Sequence, residues 1–334
     1  MSDEAAMRRA VELAGAVRAV ASPNPWVGCV VVTPEGQVFE GATQPPGGAH
    51  AEVVALGAAG ERARGATLYC TLEPCAHHGR TPPCVDAVVA AGPARVVVAL
   101  EDPDPNVKGR GIARLRDAGI HAEVGLCGAE VRRQLQPYLK HRTTGRPWVV
   151  LKLAATLDGR TAAPDGTSQW ITGEAARSDA HRLRSESDAV LVGAGTVRSD
   201  DPSLTARADA GREPQRVVLG RVPADARVHP ALEVSGDLGQ VLEDLGARGI
   251  VQLLVEGGAT VAHQFHAAGL VDRYVVYLAP ALFGGDDARS MFAGPGAPTI
   301  EQVWRGRVVD VIRLGEDLRV ELASAVEGSA CSPG

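Results

Sequence analysis

The residues best equipped for chemistry in this chain are His50-Ala51-Glu52, then Pro74-Cys75, then Cys84. One imidazole and two thiolates give a zinc ion three ligands and leave the fourth position for water. Two thiolates also neutralise the ion's formal charge, so its water is acidified less than in an all-histidine site. A nearby base is then needed, and Glu52, two residues from a ligand, is the candidate. Positions two apart on a helix point away from each other, so His50 and Glu52 are expected at a helix start rather than inside one. Thr81-Pro82-Pro83 opens a helix capped by Thr81 and running to about residue 91, which puts Cys84 in a first turn that favours its thiolate. The competing reading is a closed structural zinc site completed by Cys70, His77 or His78. Cys29, Cys70 and Cys127 otherwise read as buried small residues, and Cys331 as a tail thiol.

A second group lies downstream. Val255-Glu256-Gly257-Gly258 follows a strand and opens a helix, and Gly193-Ala194-Gly195-Thr196 also ends a strand. Paired glycines in such turns let a diphosphate reach backbone N–H groups. Tight turns use glycine without any ligand as well, and there is no G-x-G-x-x-G to support a Rossmann site.

Elements must hold these residues in place. Helical spacing covers 4–19, 50–59, 109–118 and 128–141. Strands are expected at 28–32, 67–72, 95–100 and 121–124, with a hairpin partner from Val38-Phe39. The alternation implies helices over a mainly parallel sheet. A polar break at 142–147 marks a domain boundary. The pattern then restarts with strands at 148–155, 188–193, 215–219, 251–255 and 272–279, and helices at 174–186, 238–247 and 258–268. A hairpin over 307–313 and 317–323 closes the chain before a Gly/Ser/Pro-rich tail. The chain has 334 residues, which fits two domains. Its 45% hydrophobic content excludes wholesale disorder, and no apolar run is long enough for a membrane helix. A net charge of −6 and 4% aromatics argue against nucleic-acid binding, and an acidic N-terminus without a signal pattern makes cytoplasm the default.

The order H-x-E, then P-C and a further Cys, is that of zinc deaminases acting on nucleobases, although eight residues separate Cys75 from Cys84 here. The run from Cys70 to Cys84 (CTLEPCAHHGRTPPC), Asn24-Pro25 with Val27-Gly28, and the segment from Asp102 to Gly111 (DPDPNVKGRG) resemble the bifunctional riboflavin-biosynthesis deaminase–reductases. So do Leu151 to Arg160, Ser168 to Thr172 and Gly193 to Leu204. The likeness spans nearly the whole chain. It implies an α/β protein with a cytidine-deaminase-like three-layer sandwich over 1–145, a dihydrofolate-reductase-like domain over 146–326 and a flexible tail over 327–334. It implies one zinc per chain on His50, Cys75 and Cys84, Glu52 as acid/base, and Asn24, Arg80 and Asp102 on a pyrimidine ribosyl phosphate. For the second half it implies NADPH on Ala154, Trp170, Thr196, Asp200, Gly257 and Gly258. Its sugar substrate would meet Lys152, Ser168, Arg184, Leu204, Arg207 and Glu256. A homo-oligomer, dimer or tetramer, is expected, without nucleic-acid or membrane partners. The chain departs from the family pattern at Thr43, where a histidine is common, at Asp104 in place of asparagine, at Gly220 in place of aspartate, and in a short 220–237 segment. Two alternatives stay open: a deaminase whose second half only binds or dimerises, and a nucleic-acid-editing deaminase.

Overall fold

A computed structural model describes residues 1–79, 81–105, 107–207 and 212–324. The chain forms two compact units, Met1–Gly145 and a second that begins at Arg146.

The first unit opens with α1 (Asp3–Ala16) and a short α2 (Arg18–Ala21), so the helix expected over 4–19 breaks at Val17. A five-stranded sheet follows, with β1 (Gly28–Val32), β2 (Val38–Ala42), β3 (Thr67–Cys70), β4 (Arg95–Val98) and β5 (His121–Val124) in the order β2-β1-β3-β4-β5. β1 runs antiparallel to both neighbours, and only β3, β4 and β5 run parallel. The sheet is therefore half parallel, because a short hairpin joins β1 to β2 where a helical crossover would be needed for parallel pairing. The first turns of α3 (Ala51–Ala59) cover one face of the β1–β2 hairpin and α1 the other. A Cβ on Gly41 would meet the Ala51 carbonyl at 2.3 Å, and one on Gly28 the Ala10 carbonyl at 1.9 Å. Gly41 is thus what lets the start of α3 settle on β2.

α4 covers Cys84–Ala91, with Pro83 as its N-cap and no side-chain cap. Thr81 does not cap it. Thr81 and Pro82 each precede a proline, which forces both out of helical geometry, so Cys84 is the first helical residue. α5 (Arg110–Asp117) lies beside the Cys75 loop, since a Cβ on Gly111 would meet the Pro74 carbonyl at 2.0 Å. The helix expected over 128–141 is two helices, α6 (Gly128–Gln134) and α7 (Gln136–Thr144). Pro137, in the first turn of α7, has no N–H to continue the earlier ladder. α7 also takes in the first half of the stretch read as a polar break.

The second unit is built on β6 (Trp148–Thr156), with β7 (Arg160–Ala162), α8 (Glu174–Ser185), β8 (Ala189–Gly193) and α9 (Ala194–Asp200) following. Next come β9 (Gln215–Leu219), β10 (Leu232–Val234), α10 (Leu238–Ala247), β11 (Gln252–Val255), α11 (Ala259–Ala267), β12 (Arg273–Ala279), β13 (Arg289–Ser290), β14 (Gly306–Leu314) and β15 (Asp317–Ser324). Eight strands form one sheet in the order β10-β9-β8-β11-β6-β12-β15-β14. One face buries Leu151, Leu191, Leu253, Leu242 and Phe265 under α10 and α11, and the other buries Val190, Leu254, Ala180 and Leu183 under α8. The short 220–237 segment keeps a three-residue strand, β10, but no helix between β9 and β10. β10 pairs parallel to β9 through Leu232 and Val217. No described helix is long and apolar enough to cross a membrane.

Candidate active sites

In the first unit three chain segments converge. His50 is the N-cap residue of α3, with extended backbone, and Glu52 follows in the first turn. Cys75 lies in the loop after β3, and Cys84 begins α4. His50 Nδ1 is 2.8 Å from Cys84 Sγ and 3.6 Å from Cys75 Sγ, and the two sulfurs are 3.3 Å apart. Zinc bonds of ~2.3 Å to sulfur and ~2.0 Å to nitrogen set donor pairs about 3.5–3.8 Å apart, so the cluster fits the ion with displacements of less than about 1 Å. Among the described residues no fourth His, Cys, Asp or Glu joins the group. Cys70 instead pairs with Cys29 across β3 and β1, both fully buried, so the closed four-ligand reading finds no fourth donor there. Thr81 Oγ1 lies 3.4 Å from His50 Nε2, the ring nitrogen turned away from the sulfurs.

The helix N-terminus acts on a different sulfur from the one expected. The Cys84 N–H, first of α4, donates to Cys75 Sγ at 3.3 Å. A hydrogen bond from Cys84, and this N–H, hold Cys75 well below the usual thiol range, while the shared proton keeps Cys84 high. Hydrogen bonding to Cys75 raises His50. Burial pushes the Glu52 carboxyl up to about 7, where a group can both take and return a proton at neutral pH.

A cavity of about 280 Å³ holds His50, Glu52 and Cys75 together with Asn24, Thr43, Thr81, Asp102 and Asp104. Burial raises Asp102 to about 6, and its carboxylate accepts from the Tyr138 hydroxyl at 3.0 Å. Arg80 lies outside the described residues. Thr43 is buried, and its Oγ1 accepts from the Val27 N–H at 3.0 Å, fastening the end of β2 to the Asn24–Val27 segment. Glu73 was not singled out by sequence. Its carboxylate accepts from the backbone N–H groups of Asp102, Gly109, Gly111 and Ile112, and so builds the pocket's far wall. Tyr138 and Arg142 also line the cavity and were missed, because nothing local in α7 points to a pocket formed 60 residues earlier. Cys127, expected buried, is partly exposed at the left-handed N-cap of α6.

In the second unit the register brings charges together. Val255 on β11 pairs with Leu151 on β6, so Glu256 and Lys152 are neighbours. Lys152 Nζ lies 3.5 Å from Glu256 Oε2, and Arg184 on α8 grips Glu256 through Nε at 2.5 Å and Nη2 at 2.9 Å. Arg184 is therefore a buried partner rather than a helix-surface charge. Its Nη1 also donates to the Thr205 carbonyl at 3.2 Å, which draws in the Leu204–Arg207 segment. Asp201, Leu204 and Arg207 all have positive φ, at 38°, 52° and 53°. Such non-glycine strain collects at functional sites. The Gly258 N–H donates to Thr196 Oγ1 at 3.2 Å, joining the two glycine turns. Trp170 is 70% exposed, with the Arg177 guanidinium 4.7 Å from its ring. Among the described residues no hydrogen bond or ion pair ties Ser168, Trp170 or Asp200 to the Glu256 cluster, while Ala154 shares its strand with Lys152, two residues on. A separate groove of about 740 Å³ runs past Leu219, Gly220, Asp237 and His263.

Residues 1–100 match the cytidine and deoxycytidylate deaminase zinc-binding region, and residues 147–320 match the RibD C-terminal domain. The riboflavin biosynthesis protein RibD of Escherichia coli K12 is 40% identical over 97% of this chain and all of that protein. The solved RibD structure of Acinetobacter baumannii is 40% identical, covers 96% of this chain and 98% of that one, and superposes with a TM-score of 0.91. The chain belongs to the RibD family. It is a bifunctional deaminase and reductase of riboflavin biosynthesis, with a zinc-binding deaminase unit and a reductase unit that draws on a nicotinamide cofactor. The alternatives of an inert second half and of a nucleic-acid editor fall with that membership. A further RibD-type structure, the Thermotoga maritima diaminohydroxyphosphoribosylaminopyrimidine deaminase/5-amino-6-(5-phosphoribosylamino)uracil reductase, is 34% identical over 96% of this chain and 98% of that one, with a TM-score of 0.87.

Proposed function

We propose that the first unit hydrolyses an amino group from 2,5-diamino-6-ribosylamino-4(3H)-pyrimidinone 5′-phosphate, and that the second reduces the ribosyl group of the product to ribityl with NADPH. The observation that carries the reading is the joint presence of the His50–Cys75–Cys84 donor set beside Glu52 and the Lys152–Glu256–Arg184 cluster in one chain. The substrate names in the Thermotoga maritima structure support it.

In the first unit His50, Cys75 and Cys84 hold zinc, which supplies a Lewis acid for activating water. Glu52 takes the water proton and delivers it to the departing amine. Asn24, Arg80 and Asp102 read the pyrimidine and its ribosyl phosphate. In the second unit the nicotinamide supplies hydride. Thr196 and the Gly257-Gly258 turn sit at the carboxyl ends of β8 and β11, where phosphates of a dinucleotide meet backbone N–H groups. Gly193 pairs with Leu219, so that edge continues to Gly220 and the groove beside it, which suits the adenosine half. Ala154, Trp170 and Asp200 complete the cofactor site. Ser168, Leu204 and Arg207 hold the sugar phosphate beside Lys152 and Glu256, with Arg184 setting Glu256 in place. The division at residue 145, a cytoplasmic location and a homo-oligomer, dimer or tetramer, belong to the same reading. The edge strand β14 supports the last, since it leaves Val308 and Val311 60% and 54% exposed. Mass analysis of the products tests the chemistry: loss of the amino group must precede the gain of two hydrogens, and a reduced but undeaminated product contradicts the order.

A further inference from the structure

The deaminase cavity is crowded with carboxylates. Glu52, Glu73, Asp102 and Asp104 all line it. Four backbone N–H groups satisfy Glu73, and Asp102 accepts from the Tyr138 hydroxyl and the Asp104 N–H, while both aspartates line the cavity. Both suit the amino groups of an aminopyrimidine, which are donors only. A phosphate brought into the same field is repelled unless a cation meets it. Arg80, assigned above to the same substrate, lies outside the described residues; among the described residues that line the cavity, Arg142 is the only lysine or arginine.

Its setting is that of a held but transferable guanidinium. Arg142 sits one turn after Tyr138 on α7 and lies over the Tyr138 ring, 5.1 Å from the centroid. Its Nε is 3.8 Å from Asp104 Oδ2, which is a charge contact longer than a hydrogen bond. The side chain keeps 32% of its surface exposed. Tyr138 is itself fixed by its bond to Asp102. A stacked guanidinium has lost part of its rotamer freedom and offers a planar fork, which phosphate oxygens engage in pairs.

We propose that Arg142 recognises the 5′-phosphate of the deaminase substrate, and that Asp104 is the internal carboxylate it leaves when the phosphate arrives. The proposal rests on the reading of that substrate as a ribosyl phosphate. Selectivity follows from the exchange. A phosphorylated ligand offers Arg142 a stronger partner than Asp104, whereas the dephosphorylated nucleoside leaves the ion pair as it is.

The test is ammonia release by the zinc-loaded full chain, with the phosphorylated compound and its dephosphorylated nucleoside compared in parallel. In wild type the phosphorylated compound has the lower KM. Arg142→Met raises that KM on the order of ten- to a hundredfold, the cost of losing a charged hydrogen-bonded contact, and brings the ratio of the two KM values toward one. Arg142→Lys keeps the charge without the fork and falls between. Asp104→Asn widens the ratio by freeing the arginine. Reductase rate and zinc content of each preparation report folding, and the lysine variant decides the matter if the methionine variant does not fold. Equal KM changes for both compounds in the arginine variants, or none, overturn the proposal alone. No ammonia from wild type with the phosphorylated compound overturns it together with the substrate reading.

Discussion

Arg184 on α8 and Glu256 at the end of β11 form a two-pronged ion pair at 2.5 and 2.9 Å, with both side chains largely buried. The pair ties helix to sheet at the place where the reductase chemistry is assigned. Removing one partner strands the other charge in a low dielectric. Arg184→Ala is expected to destabilise the second unit by about 3–5 kcal/mol. The double variant with Glu256→Gln should recover part of that loss. Denaturant melts followed by a probe in the second unit measure it, and a loss under about 1 kcal/mol would show that the pair is not buried as described.

The same pair makes acid stability predictable. Burial alone would push Glu256 up, but the charges of Lys152 and Arg184 outweigh it and pull the carboxyl from 4.5 down to about 2. A carboxyl lowered by folding stabilises the fold fully above its unfolded value, and that contribution fades as pH falls through the folded one. The melting temperature of the second unit should therefore drop between about pH 4.5 and 2. Glu256→Gln should melt lower near neutrality yet show a flatter slope across that window. Thermal scans at a series of pH values give the comparison.

Glu52 is assigned the proton transfers of deamination, a role that typically contributes 10²–10⁴-fold. Glu52→Gln keeps the shape of the side chain and should lower ammonia release by about that factor. Reduction of supplied deaminated intermediate by the same preparation should stay unchanged. Loss of both activities in a folded protein would contradict independent sites.

The zinc assigned to His50, Cys75 and Cys84 should also be separable from reduction. Stripping the metal with a chelator should end ammonia release and leave reduction of the deaminated intermediate intact. Cys84→Ser should bind zinc far more weakly, as metal analysis would show, since a hydroxyl replaces a thiolate donor. Full zinc occupancy in that variant would place the metal elsewhere.

The convergence of His50, Cys75 and Cys84 was legible in sequence because each is marked by its own short motif. The start of α3 at His50 was also readable, from the fact that residues two apart on a helix diverge. The pocket wall was not. Glu73 works through four backbone N–H groups of the 102–112 segment, and Tyr138 and Arg142 arrive from a helix at the far end of the unit, so only the tertiary fold makes them neighbours. The helix starting at Cys84 was placed two residues early because a capping threonine was weighed above the two prolines that exclude helix before them. The charge on Arg184 was visible, but its partner, 72 residues away, depended on how α8 packs against the end of β11.

The most direct test of the account supplies zinc-loaded protein with the diaminopyrimidinone ribosyl phosphate and NADPH, and follows ammonia release and NADPH absorbance in one sample. The account predicts ammonia first and NADPH oxidation after it, in equal final amounts. NADPH oxidation without ammonia, or ammonia without any NADPH oxidation by folded protein, would contradict two consecutive activities in this chain.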